Sequence, residues 1–294
     1  MANAREVKQR ITSVKNISQV TRALQAVSAS KVRKAIAQLE DTHPYSVKTW
    51  QVLKHISEQP DRSSLHPLLE HHQEVKTVIA IVISGDRGLA GAYNSNIIHA
   101  VDVWAETIDV PVKYITVGKR GRDQLLRRGK DILAEFSNLP PEPSYADISP
   151  VGTIAVDQFL DDVIDEVYLI YTQFINRMTQ KPVVKKLLPL NPDPEGRVRD
   201  FEVGEHLVGG YIFEPDQESL LNEIIPRFIV LQVFHAVIES LASEHSARMV
   251  AMKNATDNAT GLADALQLEY NNARQQAITN EMLDIAGGAE AIRE

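Results

Sequence analysis

NAREVKQRITSVKNISQVTRALQAVSASKVRKAIAQLE, from Asn3 to Glu40, decides the architecture. Its apolar residues Val7, Ile11, Val14, Ile17, Val20, Leu24, Val27, Val32, Ile36 and Leu39 advance by about 3.56 residues per step, between the coiled-coil and free-helix periods. This spacing predicts one helix from about Asn3 to about Ile56, with Pro44 as its only internal breaker and a narrow seam rather than a broad core face. Arg5, Lys8, Arg10, Lys15, Arg22, Lys31, Arg33 and Lys34 lie on the other sides. A single stripe therefore seeks a partner.

The partner stands at the other end of the chain. Ile224, Phe228, Leu231, Ile238, Met249, Met252, Ala259, Leu266, Tyr270, Ala273 and Ala277 fall near the 3.5-residue coiled-coil period, with Pro226 expected to kink this helix or start its main part. After about Leu241 the stripe thins from Ile, Phe and Leu to Ala, Met and Thr, and small seam residues let two helix axes approach closely. The charges agree with pairing. Residues 1–34 carry eight Lys and Arg against one Glu, whereas residues 214–294 carry thirteen acids against five bases.

Between the helices the pattern alternates. Val75–Ser84 reads as a buried β-branched strand, followed by a glycine turn and a helix from about Asn94 to Ile108. Val112–Val117 is a second strand, Lys119–Arg128 a helix ended by Gly129, and Asp131–Phe136 a third strand. LPPEPSYADISP reads as a loop into a helix near Val151–Ile164, with strands at Val167–Thr172 and about Val183–Pro189. NPDPEGRVRD is a turn or loop, and Phe201–Gly210 has no assignable pattern. The expected fold is α/β: a long antiparallel coiled coil of N- and C-terminal helices plus a central Rossmann-like, mostly parallel α/β domain. The expected domains are 1–60, an N-terminal coiled-coil helix; 70–210, the Rossmann-like domain; and 214–294, a C-terminal coiled-coil helix.

Composition excludes several functions. With 294 residues, 44% hydrophobic and 24% charged, the chain is neither disordered nor collagen-like. It has no cysteine, so disulfides, thiolate metal sites and thiol switches are excluded within it. The longest uninterrupted apolar run, Val78–Ile83, is far short of the ~20 residues of a membrane span, and MANAREVKQR lacks the apolar stretch of a signal peptide. The chain is expected to stay in the compartment where it is made, with no direct membrane insertion.

SGDRGLAGAYN, Ser84–Asn94, stands where a doubly wound sheet places a phosphate loop. Its glycines Gly85, Gly88 and Gly91 have neither dinucleotide-type spacing nor the Gly-Lys-Ser/Thr ending that cradles a triphosphate, so a turn or protein-contact loop is the better reading. His71-His72 invites a metal, but adjacent side chains diverge and no third ligand stands nearby. No catalytic residues, cofactor-binding residues or metal ligands are expected. The basic N-terminal helix could follow nucleic-acid phosphates, yet the chain as a whole carries a net charge of -8 and has no aromatic residue before Tyr45. An acidic protein surface is the expected counterpart, not nucleic acid.

ITNEMLDIAGGA, Ile278–Ala289, resembles the signature of F-type ATP synthase gamma subunits, through Ile278, Thr279, Glu281, Asp284, Gly288 and Ala289. KNISQVTRALQAVSASKVRKA, SGDRGLAGAYN, FINRMTQKP, LLPL, FEPD, LASEHSARMVAMKNATDNA and YNNARQQAIT extend the resemblance, in order, over almost the whole chain. It implies a central rotor shaft whose antiparallel coiled coil projects into a barrel of alpha and beta subunits, with the α/β domain at the base. Ion flow turns a membrane ring, the ring turns the shaft, and the shaft's asymmetry drives the catalytic beta subunits through open and closed states. Catalysis of ATP synthesis or hydrolysis then belongs to another chain. The implied partners are the alpha and beta subunits, an epsilon subunit and the membrane c-ring. The implied location is peripheral, on the cytoplasmic face of the bacterial inner membrane.

The resemblance also assigns contacts. Arg274 and Gln275 look like the polar pair that engages a catalytic-subunit loop, with Thr279 and Glu281 beside them on the helix. Arg87 resembles a second beta-subunit contact, and Lys31, Arg33 and Lys34 are expected to meet an acidic lever segment of the same subunits, in a salt-dependent way. Tyr211 and Glu214 resemble residues at the foot, against the membrane ring. Two positions depart from the family: Leu24, where Met is frequent, and Ala90, where many members have Cys. The short NPDPEGRVRD loop leaves no room for a plant-type dithiol insertion. The coupling ion, H⁺ or Na⁺, is set by the ring and stays open.

Overall fold

The computed structural model describes residues 4–57, 66–72, 74–190 and 217–291. They fall into two compact units, Ser30–Ala247 and a second made of Met1–Ala29 with Arg248–Glu294. Two long helices, α1 (Ala4–Ser57) and α5 (Gln217–Ala291), contribute to both. Pro44 and Pro226 lie inside them. The expected domain limits near 60 and at 210–214 lie outside the described residues, as do NPDPEGRVRD and Phe201–Gly210.

The larger unit is built on β1 (Val78–Ile83), β2 (Val112–Val117), β3 (Asp131–Phe136), β4 (Glu166–Phe174) and β5 (Gln180–Leu188). They form one sheet in the order β3-β2-β1-β4-β5. β1 pairs in parallel with β2 and β4, and β2 with β3, while β5 closes the sheet antiparallel to β4. The chain steps outward from β1 to β2 to β3 through α2 (Tyr93–Ala105) and α3 (Lys119–Arg127), then returns through α4 (Tyr145–Leu160) to β4. Strand order therefore reverses between β1 and β4.

All six residues of β1 are buried, because helices cover both faces. Val78, Ala80 and Val82 pack with Ile97, Ile98, Val101 and Trp104 of α2. Ile79, Ile81 and Ile83 face the other way, into a larger core shared with Ile148, Val151 and Phe159 of α4 and Ile225, Phe228 and Val237 of α5. That core explains a property of α5 that an uninterrupted-run count misses. One 18-residue window within Leu221–Ala286 is long and apolar enough, by length and composition alone, to cross a membrane, but 61% of it is buried inside the protein.

Helix α4 begins six residues before its expected start. Ser144 and Asp147 form a reciprocal capping box: Ser144 Oγ accepts from the Asp147 N–H at 3.4 Å, and Asp147 Oδ2 accepts from the Ser144 N–H at 2.8 Å. Pro150, which suggests a loop in the sequence, sits inside the helix. Two residues later Gly152 brings α4 against α5, since a Cβ there would lie 3.0 Å from Val230 Cα.

In the smaller unit α1 and α5 run antiparallel. Thr21 Oγ1 lies 2.6 Å from Thr256 Oγ1, and Ser18 Oγ 3.4 Å from Thr260 Oγ1, while Val7 and Ile11 pack on Leu266. The seam of α1 is Val7, Ile11, Val14, Ser18, Thr21, Gln25 and Ser28, a strict alternation of four- and three-residue steps whose members are buried or half-buried. It corrects the sequence expectation. Ile17, Val20 and Val27 are more than half exposed, at 54%, 59% and 54%, and the hydroxyl residues beside them take the interior. Those hydroxyls bring their own partners: Ser28 Oγ donates to Leu24 O at 2.8 Å, and Thr256 Oγ1 to Met252 O at 2.9 Å. Opposite them stand Met252, Thr256, Ala259, Ala263 and Leu266.

The described contacts between α1 and α5 stop short of the end of α5. The Thr21–Thr256 and Ser18–Thr260 contacts set Ala4, where α1 starts, against about residue 273. Beyond that point α5 continues to Ala291, roughly 27 Å at ~1.5 Å per residue. Every side chain from Arg274 to Ala286 is exposed.

Candidate functional site

Two regions carry the residues that the sequence singles out: the loop after β1 and the end of α5. The loop is held by its own polar side chains. Asp86 Oδ1 accepts from the Lys119 N–H at 2.9 Å, and Oδ2 from the Asn138 N–H at 2.9 Å. Lys119 is the first residue of α3, so Asp86 places its carboxylate at a helix N-terminus, the position an anion favours. Asn94 Oδ1 accepts from the Gly85 N–H at 3.0 Å. Ser84 Oγ accepts from the Gly121 N–H at 2.8 Å. Gly118 has φ +100°, and a Cβ there would fall 2.2 Å from Ser84 O, so only glycine fits.

A phosphate loop needs free N–H groups around an open hollow. Here the N-terminus of α3 is filled by Asp86, and the carboxylate of Glu244 lies over Gly85. The anion position at α3 is occupied by the chain's own Asp86, and Glu244 fills the space over Gly85. Arg87, between them in sequence, is exposed.

On α5, Arg274, Gln275, Thr279 and Glu281 are exposed on the final stretch. Thr279 Oγ1 donates to Gln275 O at 2.9 Å, so its hydroxyl hydrogen is turned back on its own helix. The same stretch exposes large apolar side chains, Ile278 at 47%, Met282 and Ile285 at 67% and Leu283 at 63%. Sequence reading treated this segment as helix and signature and did not separate these four.

The basic residues of α1 are not equivalent. Arg33 is exposed and Lys31 half-buried, whereas Lys34 Nζ lies 2.6 Å from Glu142 Oε1 within the larger unit. Tyr211 and Glu214 lie outside the described residues. His72 is structural: its Nδ1 lies 2.7 Å from Asp165 Oδ1, and its ring stacks on Phe159 at 5.1 Å. Asp165 Oδ2 also accepts from the Lys76 and Thr77 N–H groups, at 2.7 and 2.9 Å. Burial pushes the Asp165 carboxyl pKa upward, but the hydrogen bonds from His72, Lys76 and Thr77 outweigh it and hold the group below its ordinary value. Among the described residues, no group of three or more His, Asp and Glu side chains is placed to hold a metal ion.

A family model described as ATP synthase matches residues 3–292. A protein named ATP synthase gamma chain from Dehalococcoides mccartyi is 42% identical over 293 residues, covering 99% of this chain and 100% of that one. The chain belongs to the ATP synthase gamma chain family. Gamma chains of a Roseiflexus species and of Legionella pneumophila are each 40% identical, over 100% and 99% of this chain and 100% of theirs. The fold agrees with solved structures. The rotor of Euglena gracilis mitochondrial ATP synthase has a TM-score of 0.63 at 17% identity, covering 94% of this chain and 98% of that one. A central stalk and c-ring structure from Tetrahymena thermophila mitochondrial ATP synthase gives 0.62 at 23% identity, covering 80% and 99%. As a gamma chain, the protein is a non-catalytic subunit of ATP synthase.

Proposed function

We propose that this chain couples ion-driven rotation of a membrane c-ring to ATP synthesis or hydrolysis in the beta subunits by turning the end of α5 inside the alpha–beta barrel. The exposed stretch from Arg274 to Ala286 supports this reading. A lone helix that exposes Ile278, Met282, Leu283 and Ile285 in water is poorly stabilised, and a surrounding protein sleeve covers such a surface. Arg274, Gln275, Thr279 and Glu281 supply polar contacts on the same stretch, and a shaft that meets each surrounding subunit with a different face biases each toward a different conformation.

Arg87, Lys31 and Arg33 are further candidate contacts to beta subunits. Lys34 joins them only by leaving Glu142. Tyr211 and Glu214 are the proposed contacts to the ring, with an epsilon subunit completing the stalk. In this division of labour, residues 1–60 and 214–294 form the shaft and 70–210 the base. The location proposed is the cytoplasmic face of a bacterial inner membrane, reached through the complex and not by insertion.

The test is coupling. In the assembled complex, Arg274→Ala with Gln275→Ala is expected to lower ATP-driven ion pumping per ATP hydrolysed, while the isolated chain hydrolyses no ATP. Unchanged pumping and synthesis in the variant, or turnover by the pure chain, would overturn the reading.

A further inference from the structure

In doubly wound sheets, ligands bind in the crevice beyond the carboxyl ends of the strands where strand order reverses. In this chain that crevice lies between β1 and β4, and α5 reaches into it with three buried polar side chains. Ser240 Oγ accepts from the Thr172 N–H at 3.3 Å, and Ser243 Oγ donates to Thr172 O at 3.1 Å. Thr172 lies near the carboxyl end of β4. The serines thus serve both backbone groups of this strand residue. One helical step on, a Cβ added to Gly85 would lie 2.9 Å from Glu244 Cδ and 3.0 Å from each carboxylate oxygen, so the carboxylate lies flat against the loop after β1. Ser240, Ser243 and Glu244 are 2%, 0% and 6% exposed, and their spacing puts them on one face of α5.

We infer that Ser240, Ser243 and Glu244 form a polar joint that locks α5 to the ends of β1 and β4, with Glu244 acting as a positioning residue for the loop that carries Arg87. The physical need is directional. The apolar contacts of α5 in the core are non-directional and resist sliding or axial rotation weakly, whereas hydrogen bonds and a buried carboxylate tolerate little displacement. Gly85 is glycine because the carboxylate occupies the space of its side chain. The crevice that takes a nucleotide in enzymes of this architecture takes the chain's own helix here. As far as torque is concerned, the inference rests on the rotor reading above; the joint itself does not.

The test uses the full chain, whose lack of cysteine allows a clean pair of introduced labels. Spin labels at Leu89→Cys, in the loop, and Asn222→Cys, exposed on α5, report the separation of the two elements. Glu244→Ala is expected to broaden that distance distribution while circular dichroism stays native, and the conservative Glu244→Gln to restore most of its narrowness. Gly85→Ala is expected to lower stability alone but to add little on top of Glu244→Ala, since the clash disappears with the carboxylate. An unchanged distribution with additive stability losses overturns the joint. Should Glu244→Ala fail to fold, Ser243→Ala provides the same readout, and a distribution as narrow as that of the parent overturns it equally. In the assembled complex, Glu244→Ala should lower ions pumped per ATP hydrolysed. If it does not, while Arg274→Ala with Gln275→Ala does, the torque role of the joint fails and the rotor reading stands. If neither does, the rotor reading fails.

Discussion

Helix α5 buries two different surfaces along its length. Between Leu221 and Ala242 it presents Ile225, Phe228, Ile229, Val233, Phe234 and Val237, all nearly inaccessible, to a sheet and a neighbouring helix. From Met252 onward it presents Met252, Thr256, Ala259, Ala263 and Leu266 to a single helix, and the side chains from Arg274 to Ala286 are exposed. The first surface supplies apolar area, the main source of stability. The second gives up that area for closeness of the axes. A shaft that turns inside other subunits needs the second kind of surface, and it can have it only because the first anchors the same helix.

The comparison is tested most severely by truncating one side chain on each surface. Phe228→Ala is expected to cost about 3–5 kcal/mol in chemical denaturation, and Leu266→Ala, on the narrow seam, less than half of that. Equal losses would erase the distinction. Gly152→Ala should come next, at about 1–3 kcal/mol, because the added methyl meets Val230 Cα as closely as Val230 Cγ2, so turning the side chain alone does not relieve the clash. No change in melting temperature would mean that α4 and α5 approach less closely than described.

A smaller effect belongs to the edge of the larger unit. Since the Asp165 pKa is lowered in the folded chain, its contribution is complete above the ordinary aspartate value, 3.8, and disappears as pH falls through the lowered one. The stability gap between parent and Asp165→Asn, measured by denaturation across pH, is expected to be constant near neutrality and to close below that value. A gap that closes at higher pH would overturn the assignment to Asp165. The smallest effect is expected in the seam. Thr21→Val or Thr256→Val alone should cost about 1 kcal/mol or less, and the double variant less than the sum, because the two hydroxyls are each other's partners. Additive losses would mean that the pair contributes nothing across the seam.

Much of this was legible in the residues. Val112–Val117 and Asp131–Phe136 are strands with the expected ends, and the two long helices have nearly the expected reach, because runs and periods are properties of neighbouring residues. The start of α4 was obscured by Pro150, which favours a break that the capping box at Ser144 overrides. The seam was misread for a different reason. Ile17, Val20 and Val27 and the set Ser18, Thr21 and Ser28 offer two adjacent stripes of similar period, and only the partner helix chooses between them. Hydrophobicity favours the first stripe; the slender partner, with Thr256 and Ala259 facing it, takes the second.

The candidate site divides in the same way. Arg87, Arg274, Gln275, Thr279 and Glu281 were visible through family resemblance, and all five are exposed. The exposure of Ile278, Met282, Leu283 and Ile285 was not, because exposure is a property of the folded chain and not of local pattern. The roles of Asp86 and Glu244 were equally hidden. The sequence by itself determined that two long helices of opposite charge flank an alternating α/β core, since periodicity, composition and charge are local quantities. Only the tertiary structure decided which stripe pairs, and that Asp86 and Glu244 fill the space around the glycine loop. Those outcomes depend on distances between residues far apart in the chain, which no local pattern contains.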